Sequence, residues 1–168
     1  MTKNNLKSKE GFTIIEVVLV LAIAGLIFLM VFIAFPGLQR SQRDTQRRND
    51  LANLATRIID YQTNNRNQVP TDQTGWTSFQ THYFDQATYV DPDGNNYYIK
   101  YEGTMTNSTD QDAVIEDDFK SELKENGHQV HVWDHAHCNG EKIELDDSPR
   151  KVAFLYMLEA GNIYCGNN

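Results

Sequence analysis

Several features are scarce or missing in this 168-residue chain, and each absence excludes something. Cysteine occurs only at positions 138 and 165, so no second cysteine completes a recognised metal-binding spacing beside the histidines. No phosphate-binding loop and no nucleophile accompany those histidines, which argues against an enzyme. No small-residue cleavage site follows the apolar run that ends near Gly37, so that run is not an ordinary secretory signal. We expect it to be retained as a helix.

Charge is also missing from the long apolar run at Val17–Phe35. As a helix this run is about 28 Å long, close to the thickness of the hydrocarbon core of a bilayer. One carboxylate, Glu16, lies at the start of the run. A lone charge there costs about 2.5–3.5 kcal/mol on membrane-insertion scales. Glu16 is therefore expected to have a partner.

A short motif ends in this carboxylate and consists of Glu10-Gly11-Phe12-Thr13-Ile14-Ile15-Glu16. With its basic leader and the apolar helix, it resembles the prepilin signature of type IV pilins and type II secretion pseudopilins. The resemblance implies that a membrane peptidase cuts after Gly11 and methylates the new amine of Phe12. It also implies that Glu16 pairs with the amine of a neighbouring subunit.

The residues favour the same pairing. A new amine at Phe12 is a cation, and Glu16 follows it by four positions. If such helices pack side by side with a stagger, the amine of one reaches the carboxylate of the next, because neither charge is tolerated alone in an apolar bundle. The alternative is a single-pass anchor in which Glu16 snorkels to the membrane interface.

The resemblance also implies partners and a location. The partners are further copies in a homopolymer or mixed filament, the prepilin peptidase, the membrane, and an inner-membrane assembly platform with its ATPase. The chain would first lie in the cytoplasmic membrane with its N-terminus inside, and later in an extracellular filament. Lysines before the run and arginines after it leave the orientation undecided by charge alone. The N-inside orientation is therefore chosen from the resemblance and from the cysteine pair.

The expected fold class is α+β and pilin-like, with a long N-terminal helix packed on a small antiparallel sheet of about four strands. Residues 1–11 form the cleaved leader, 12–37 the membrane and filament-core helix, and 38–168 the head. The helix should continue through 38–66, where apolar residues recur at helical spacing. Those residues are Leu51, Leu54, Ala55, Ile58 and Tyr61.

Two residues are expected to interrupt the regularity of the long helix. Gly25 lies in its middle and allows close approach or local unwinding, and Pro36 should kink it at the membrane surface. After the helix, residues 70–96 are expected to form an irregular connection pinned by aromatic side chains. Strands are then predicted at 97–101, 129–138, 151–159 and 163–165.

Charge is unevenly spread along the chain, whose formal net charge is −8. Residues 67–168 carry 6 basic and 18 acidic residues, which argues against generic nucleic-acid binding, and no direct binding by the single subunit is predicted. Residues 40–48 are rich in arginine. This stretch is expected to be a solvated helix face, or else to contact lipid headgroups or an acidic neighbouring head.

One turn, at residues 91–97, resembles the Asp-Pro-x-Gly-Asn-x-Tyr turn of the major pseudopilins. Asp91 and Asp93 place hard oxygen ligands at alternate positions, as a calcium site does, but no glutamate closes the loop. A plain turn is the preferred interpretation. His131, His135 and His137 alternate along a predicted strand and could hold zinc or copper, although surface histidines are the simpler interpretation. No cofactor is predicted.

The two cysteines, Cys138 and Cys165, are expected to form a disulfide, since the head should be exported. The alternative is two free buried thiols.

The predicted function is that of a structural subunit of a type IV pilus-like filament, serving adhesion, twitching motility or DNA uptake. The first alternative is a pseudopilin of a type II secretion system. The second is a membrane-anchored binding module that never polymerises and uses the region between His128 and His137. An anchored enzyme is disfavoured.

Overall fold

The computed structural model describes residues 11–106 and 128–168, together with Ser121, Leu123 and Glu125. Within it the chain divides into two compact units, Met1–Gln39 and Arg40–Asn168. In the described residues, the first contains the apolar part of a long helix. The second is an α+β head, and its elements are taken in chain order below.

The first element is a single long helix, α1, at Ile14–Asn64. Its predicted continuation beyond the apolar run is confirmed. Gly25 and Pro36 both lie inside it. In the head, Leu51, Leu54 and Ile58 are fully buried, which also confirms the predicted apolar stripe. The helix ends before Arg66 and Asn67, which adopt left-handed backbone angles with φ of 57° and 65°.

A second helix, α2 at Gln73–His82, lies where an irregular connection was predicted. Asp72 caps it by accepting a hydrogen bond from the backbone N–H of Gly75 at 2.6 Å. Trp76 and Phe79 are buried on one face, three positions apart. The aromatic residues therefore do pin this region to the core, but they do so from a short amphipathic helix.

The sheet of the head has four strands, as predicted, but it is not wholly antiparallel. The order is β1-β2-β5-β6, formed by Tyr98–Thr104, Gln129–Asp134, Val152–Met157 and Ile163–Asn167. β1 and β2 pair in parallel, and the other two pairings are antiparallel. A parallel pair needs a long crossover, and residues 105–128 supply it.

The predicted strand at 129–138 is in fact two strands in two sheets. It breaks at His135, whose φ of 55° is incompatible with a continuous strand. The second half, β3 at Ala136–Asn139, pairs with β4 at Lys142–Leu145 in a separate two-stranded sheet. The tight turn between them uses Gly140 at φ 66°, a conformation that glycine adopts readily.

Both faces of the central strands are buried. One face joins the α1 stripe in a cluster that includes Val130, Val132 and Phe154. The other face carries Trp133 and Leu155 in a second cluster with residues of β3 and β4. His131, expected from the sequence to be a surface histidine, is therefore buried, because a second layer covers the face of β2 that also carries Trp133.

The disulfide between Cys138 and Cys165 is present, with a Cα–Cα distance of 5.8 Å. It joins β3 to β6 and so links the small sheet to an edge strand of the large one.

Candidate functional site

The start of α1 is built by a pair of residues three positions apart. Gly11, Phe12 and Thr13 precede the helix, and the backbone carbonyl of Thr13 accepts bonds from the N–H groups of Glu16 and Val17 at 3.2 and 3.3 Å. The side chain of Glu16 reaches back to Thr13. Its Oε2 accepts from the backbone N–H at 3.4 Å and from the hydroxyl at 3.3 Å. This is the glutamate half of a capping box, in which the side chain at the third helical position reaches back to the backbone N–H of the N-cap residue, and here the Thr13 hydroxyl donates to the same carboxylate.

Thr13 therefore gives Glu16 a partner inside its own chain. The partner expected from the sequence was the amine of a neighbouring subunit. The signal was present, because Thr13-Ile14-Ile15-Glu16 has the required spacing of a hydroxyl residue and a glutamate. Both hydrogen bonds are long and lie at the surface. A charged donor at normal distance would make a stronger bond to the same carboxylate.

The side chains of the apolar part of α1 are largely exposed in the described part of the chain. Phe12 is 86% exposed, and the side chains that follow it up to Leu38 are mostly exposed as well. By length and composition this helix can cross a membrane, and none of its most apolar 18-residue segment is buried. Soluble monomers rarely expose apolar patches larger than a few hundred Å². The segment therefore needs a cover, which lipid or other helices would supply.

A second, unpredicted constellation lies in the head around Arg47, whose side chain is only 7% exposed. Its guanidinium donates to both carboxylate oxygens of Asp91 at 2.7 Å. It also contacts Asp44 at 3.1 Å and Glu159 at 3.3 Å. The prediction that residues 40–48 form only a solvated face was wrong for Asp44 and Arg47, since the acidic partners come from within the chain. We call Asp44, Arg47, Asp91 and Glu159 the charged hub.

The hub also involves Asp91, one of the two residues considered as possible calcium ligands. Each oxygen of Asp91 accepts twice: Oδ2 from Arg47 and the Tyr156 hydroxyl, Oδ1 from Arg47 and the Asp93 backbone N–H. Asp91, Asp93 and His128 each have one possible ligand atom, a carboxylate oxygen or a ring nitrogen, and these three atoms lie within 4.8 Å of one another. However, a carboxylate has about four lone-pair sites, and those of Asp91 are used. Asp91 anchors a turn, in which its carbonyl accepts from the backbone N–H of Gly94 at 2.8 Å.

The three histidines considered as possible metal ligands do not converge. His131 is fully buried in β2, with Nδ1 2.5 Å from Glu102, the residue at the irregularity of β1. His135 lies at the bend after β2. His137 lies in the other sheet, 3.6 Å from Glu144 and 3.5 Å from Asp146. The three are separated because the chain changes sheet at His135.

Two acidic groups of the hub are held ionised by their partners. Burial raises the pKa of Asp91, but hydrogen bonds from Arg47 and Tyr156 outweigh it and lower that pKa to about 2. The hydrogen bond from Arg43 is the main cause that lowers the pKa of Glu159 to about 2. Burial and the neighbouring Asp91 raise the pKa of Tyr156, so its hydroxyl stays protonated as a donor.

These shifts predict an acid-sensitive head. A carboxyl whose folded pKa is depressed stabilises the fold above its unfolded pKa, and that stability is lost as pH falls through the folded pKa. For Asp91 the window runs from about pH 4 down to about pH 2, and the loss is about 2 kcal/mol. Urea unfolding of the full chain in detergent micelles at pH 5, 4, 3 and 2 measures it. A free energy of unfolding that does not fall across this range would contradict the assignment.

Comparison with known proteins yields no family model, no curated protein and no solved structure that matches this chain.

Proposed function

We propose that this chain is a type IV pilin-like filament subunit that a prepilin peptidase cuts after Gly11 and methylates at Phe12. The filament would serve adhesion, twitching motility or DNA uptake. One observation carries the proposal: a membrane-length helix with exposed apolar side chains begins directly after a Gly-Phe-Thr sequence and carries a single carboxylate, Glu16, in its first turn. The fold class, a long N-terminal helix followed by a small sheet, is compatible with a pilin.

The apolar surface of α1 supports assembly for a thermodynamic reason. Before assembly, lipid covers the exposed side chains from Val17 to Phe35. In a filament, identical helices from other subunits would cover them instead. The change of environment costs little, because both surroundings are apolar. Register then has to come from polar groups, and in a helix bundle a single charge pair can specify it.

Glu16 is suited to supply that register. Before cleavage its Oε2 is held by two long hydrogen bonds from Thr13. Cleavage would create a cationic amine at Phe12, the stronger type of donor for a carboxylate. The amine of a staggered neighbour would then replace the local contacts. The inner-membrane platform and its ATPase would supply the energy to extract the helix from lipid.

The test separates the charge of Glu16 from its capping role. Glu16→Gln keeps an oxygen that can accept from Thr13 but removes the charge, whereas Glu16→Ala removes both. We expect both variants to be processed and membrane-bound, and incorporation into filaments to fall at least tenfold in each. Sheared filaments are quantified by immunoblot against the membrane pool.

Two outcomes would count against this role of Glu16. Normal filament yield from both variants would support an anchored module that never polymerises. Normal yield from Glu16→Gln with loss in Glu16→Ala would show that the capping box matters and the charge pair does not. Thr13→Ser, which retains the hydroxyl, is the matched control and should assemble normally.

A pseudopilin of a type II secretion system is the second candidate, and the turn that begins at Asp91 favours it. Asp91 accepts the backbone N–H of Asp93, and Gly94 adopts a φ of 91°. Arg47 and Tyr156 then hold this turn against α1 and β5. The two candidates differ in which assembly platform takes up the subunit, so deletion of each platform in turn distinguishes them. The binding-module alternative has less support, because the histidines that it needs lie in different parts of the head.

A further inference from the structure

Residues 40–50 form an unusual stretch of α1, because they contain no apolar side chain. They nevertheless lie in the head, and Asp44 and Arg47 are buried there. The contacts that join this stretch to the head include ion pairs, hydrogen bonds and a cation–π contact, each made by a charged side chain of α1. Its contacts divide into an outer and an inner set.

The outer contacts centre on Glu159 in the turn between β5 and β6. Arg43 donates to both of its oxygens, at 2.6 and 2.5 Å, and Arg40 lies 3.6 Å away. Asp44 binds the backbone of the same turn. Its carboxylate accepts hydrogen bonds from the N–H groups of Glu159 and Ala160 at 2.9 and 3.1 Å. The side chains of Arg40 and Arg43 are 64% and 35% exposed. Ion pairs of this kind are weakened by salt.

The inner contacts are less accessible to water. They comprise the pair between Arg47 and Asp91, with side chains 7% and 0% exposed, and a hydrogen bond from Tyr97 to Asp50 at 3.2 Å. Salt screens a buried pair much less than an exposed one. The guanidinium of Arg48 also lies over the ring of Tyr164, 5.6 Å from its centroid.

The next part of α1 is held to the head by apolar packing. Leu51, Leu54 and Ile58 are fully buried in the core cluster. Releasing them would expose apolar surface to water, which is unfavourable in proportion to the area exposed. Releasing a charged contact instead exchanges it for hydration, so the net loss is small for the exposed pairs. The two parts of the helix should therefore separate from the head at different free energies.

From this division we propose that Arg40–Asp50 is a charge-only clamp, which opens as a unit while Leu51–Gln62 remain packed on the sheet. Glu159 accepts the outer contacts of the clamp, and the ion pair of Arg47 with Asp91 is its main inner contact. The clamp is a property of the head, so it goes beyond the proposed function, and its test is independent of filament formation.

Limited trypsin digestion of the full chain in detergent micelles tests the clamp. The clamp contains trypsin sites at Arg40, Arg43, Arg47 and Arg48, of which Arg48 is the one measured here, and the packed part of the same helix contains one at Arg57. Cleavage at a site tracks the population in which that site is open. Glu159→Gln should raise the cleavage rate at Arg48 about fivefold, although Arg48 makes no hydrogen bond or ion pair with Glu159 in the described residues. Cleavage at Arg57 should stay unchanged.

The matched control removes another ion pair on the same helix. Arg57 and Asp60 are 2.9 Å apart, and both side chains are 44% exposed. Asp60→Asn should leave cleavage at Arg48 unchanged. The wild-type chain in 0.5 M NaCl should behave like Glu159→Gln, so the test does not depend on the folding of a variant.

Either of two results would overturn the clamp. In the first, cleavage at Arg48 stays within twofold of the wild-type rate in Glu159→Gln and also in high salt. In the second, the cleavage rate at Arg57 rises in parallel with the rate at Arg48. That would mean that the helix leaves the head only when the whole core opens.

Discussion

Asp91→Asn is expected to destabilise the head by about 3 kcal/mol, because it removes the carboxylate that pairs with the buried Arg47. The expected loss is at the lower end of the range for a broken buried pair, since Asp44 and Glu159 still contact the guanidinium. Tyr156 would also lose an ionised acceptor for its hydroxyl. Urea unfolding of the full chain in micelles measures the loss through tryptophan fluorescence. Trp76 lies in one core cluster and Trp133 in the other, so their summed emission follows the unfolding of both.

Asp93→Asn is the matched control for this experiment. Asp93 is two residues further along the same turn, its side chain is 38% exposed, and it lies 3.9 Å from Arg47. An exposed pair of this length contributes less than about 1 kcal/mol. If Asp91→Asn and Asp93→Asn lowered the free energy of unfolding equally, the pair of Arg47 with Asp91 would not be the main inner contact of the clamp. Asp91→Asn should also reduce the loss of stability between pH 4 and pH 2.

Gly11→Val is expected to abolish processing, so that the leader is retained. The reason is local to the proposed cleavage site, where a β-branched side chain would stand directly before the bond to be cut. A Cβ added at Gly11 meets nothing within 4 Å, so the substitution does not disturb the fold of the precursor. Mass spectrometry of the membrane fraction should find the variant about 1.2 kDa heavier than the mature chain.

Gly11→Ala serves as the control, because it adds only a methyl group to the same open position. We expect it to be processed, more slowly than the wild type. A mature chain that begins at Phe12 in Gly11→Val would show that cleavage does not depend on a small residue at position 11. A wild-type chain that keeps its first eleven residues would remove the basis of the proposed function.

Much of the fold could be predicted because its signals are local. The extent of α1 follows from an apolar run and then from a stripe with helical spacing, and the structure has both in one helix. The hairpin of β5 and β6 follows from two apolar runs around Gly161. The parallel pairing of β1 with β2 could not be predicted, because it depends on how the chain returns after residues 105–128.

The second layer of the head was missed despite a usable signal. Val152–Met157 is a continuous apolar run rather than an alternating one. Such a run is typical of a strand that is buried on both faces. Given that pattern in β5, its neighbours in the sheet should also have been expected to carry side chains into two cores. Trp133 and His131 would then have been placed in the interior.

The charged hub shows a different limit of sequence analysis. Asp44, Arg47, Asp91 and Glu159 come from three separate parts of the chain, so no local pattern joins them. One hint was available on α1. Asp44 and Arg47 extend the spacing of the buried Leu51, Leu54 and Ile58 towards the N-terminus, three or four positions at a time. Charged residues that continue an apolar stripe indicate a buried ion pair rather than a solvated face.

The polar composition of Arg40–Asp50 also has a mechanical consequence. As a helix these residues measure about 16 Å, and as an extended strand they would measure about 36 Å. Under tension, the chain could therefore lengthen by about 20 Å while the hydrophobic core of its head stays closed. When the load ends, the unchanged core would hold the arginines' partners in place for the stretch to wind back.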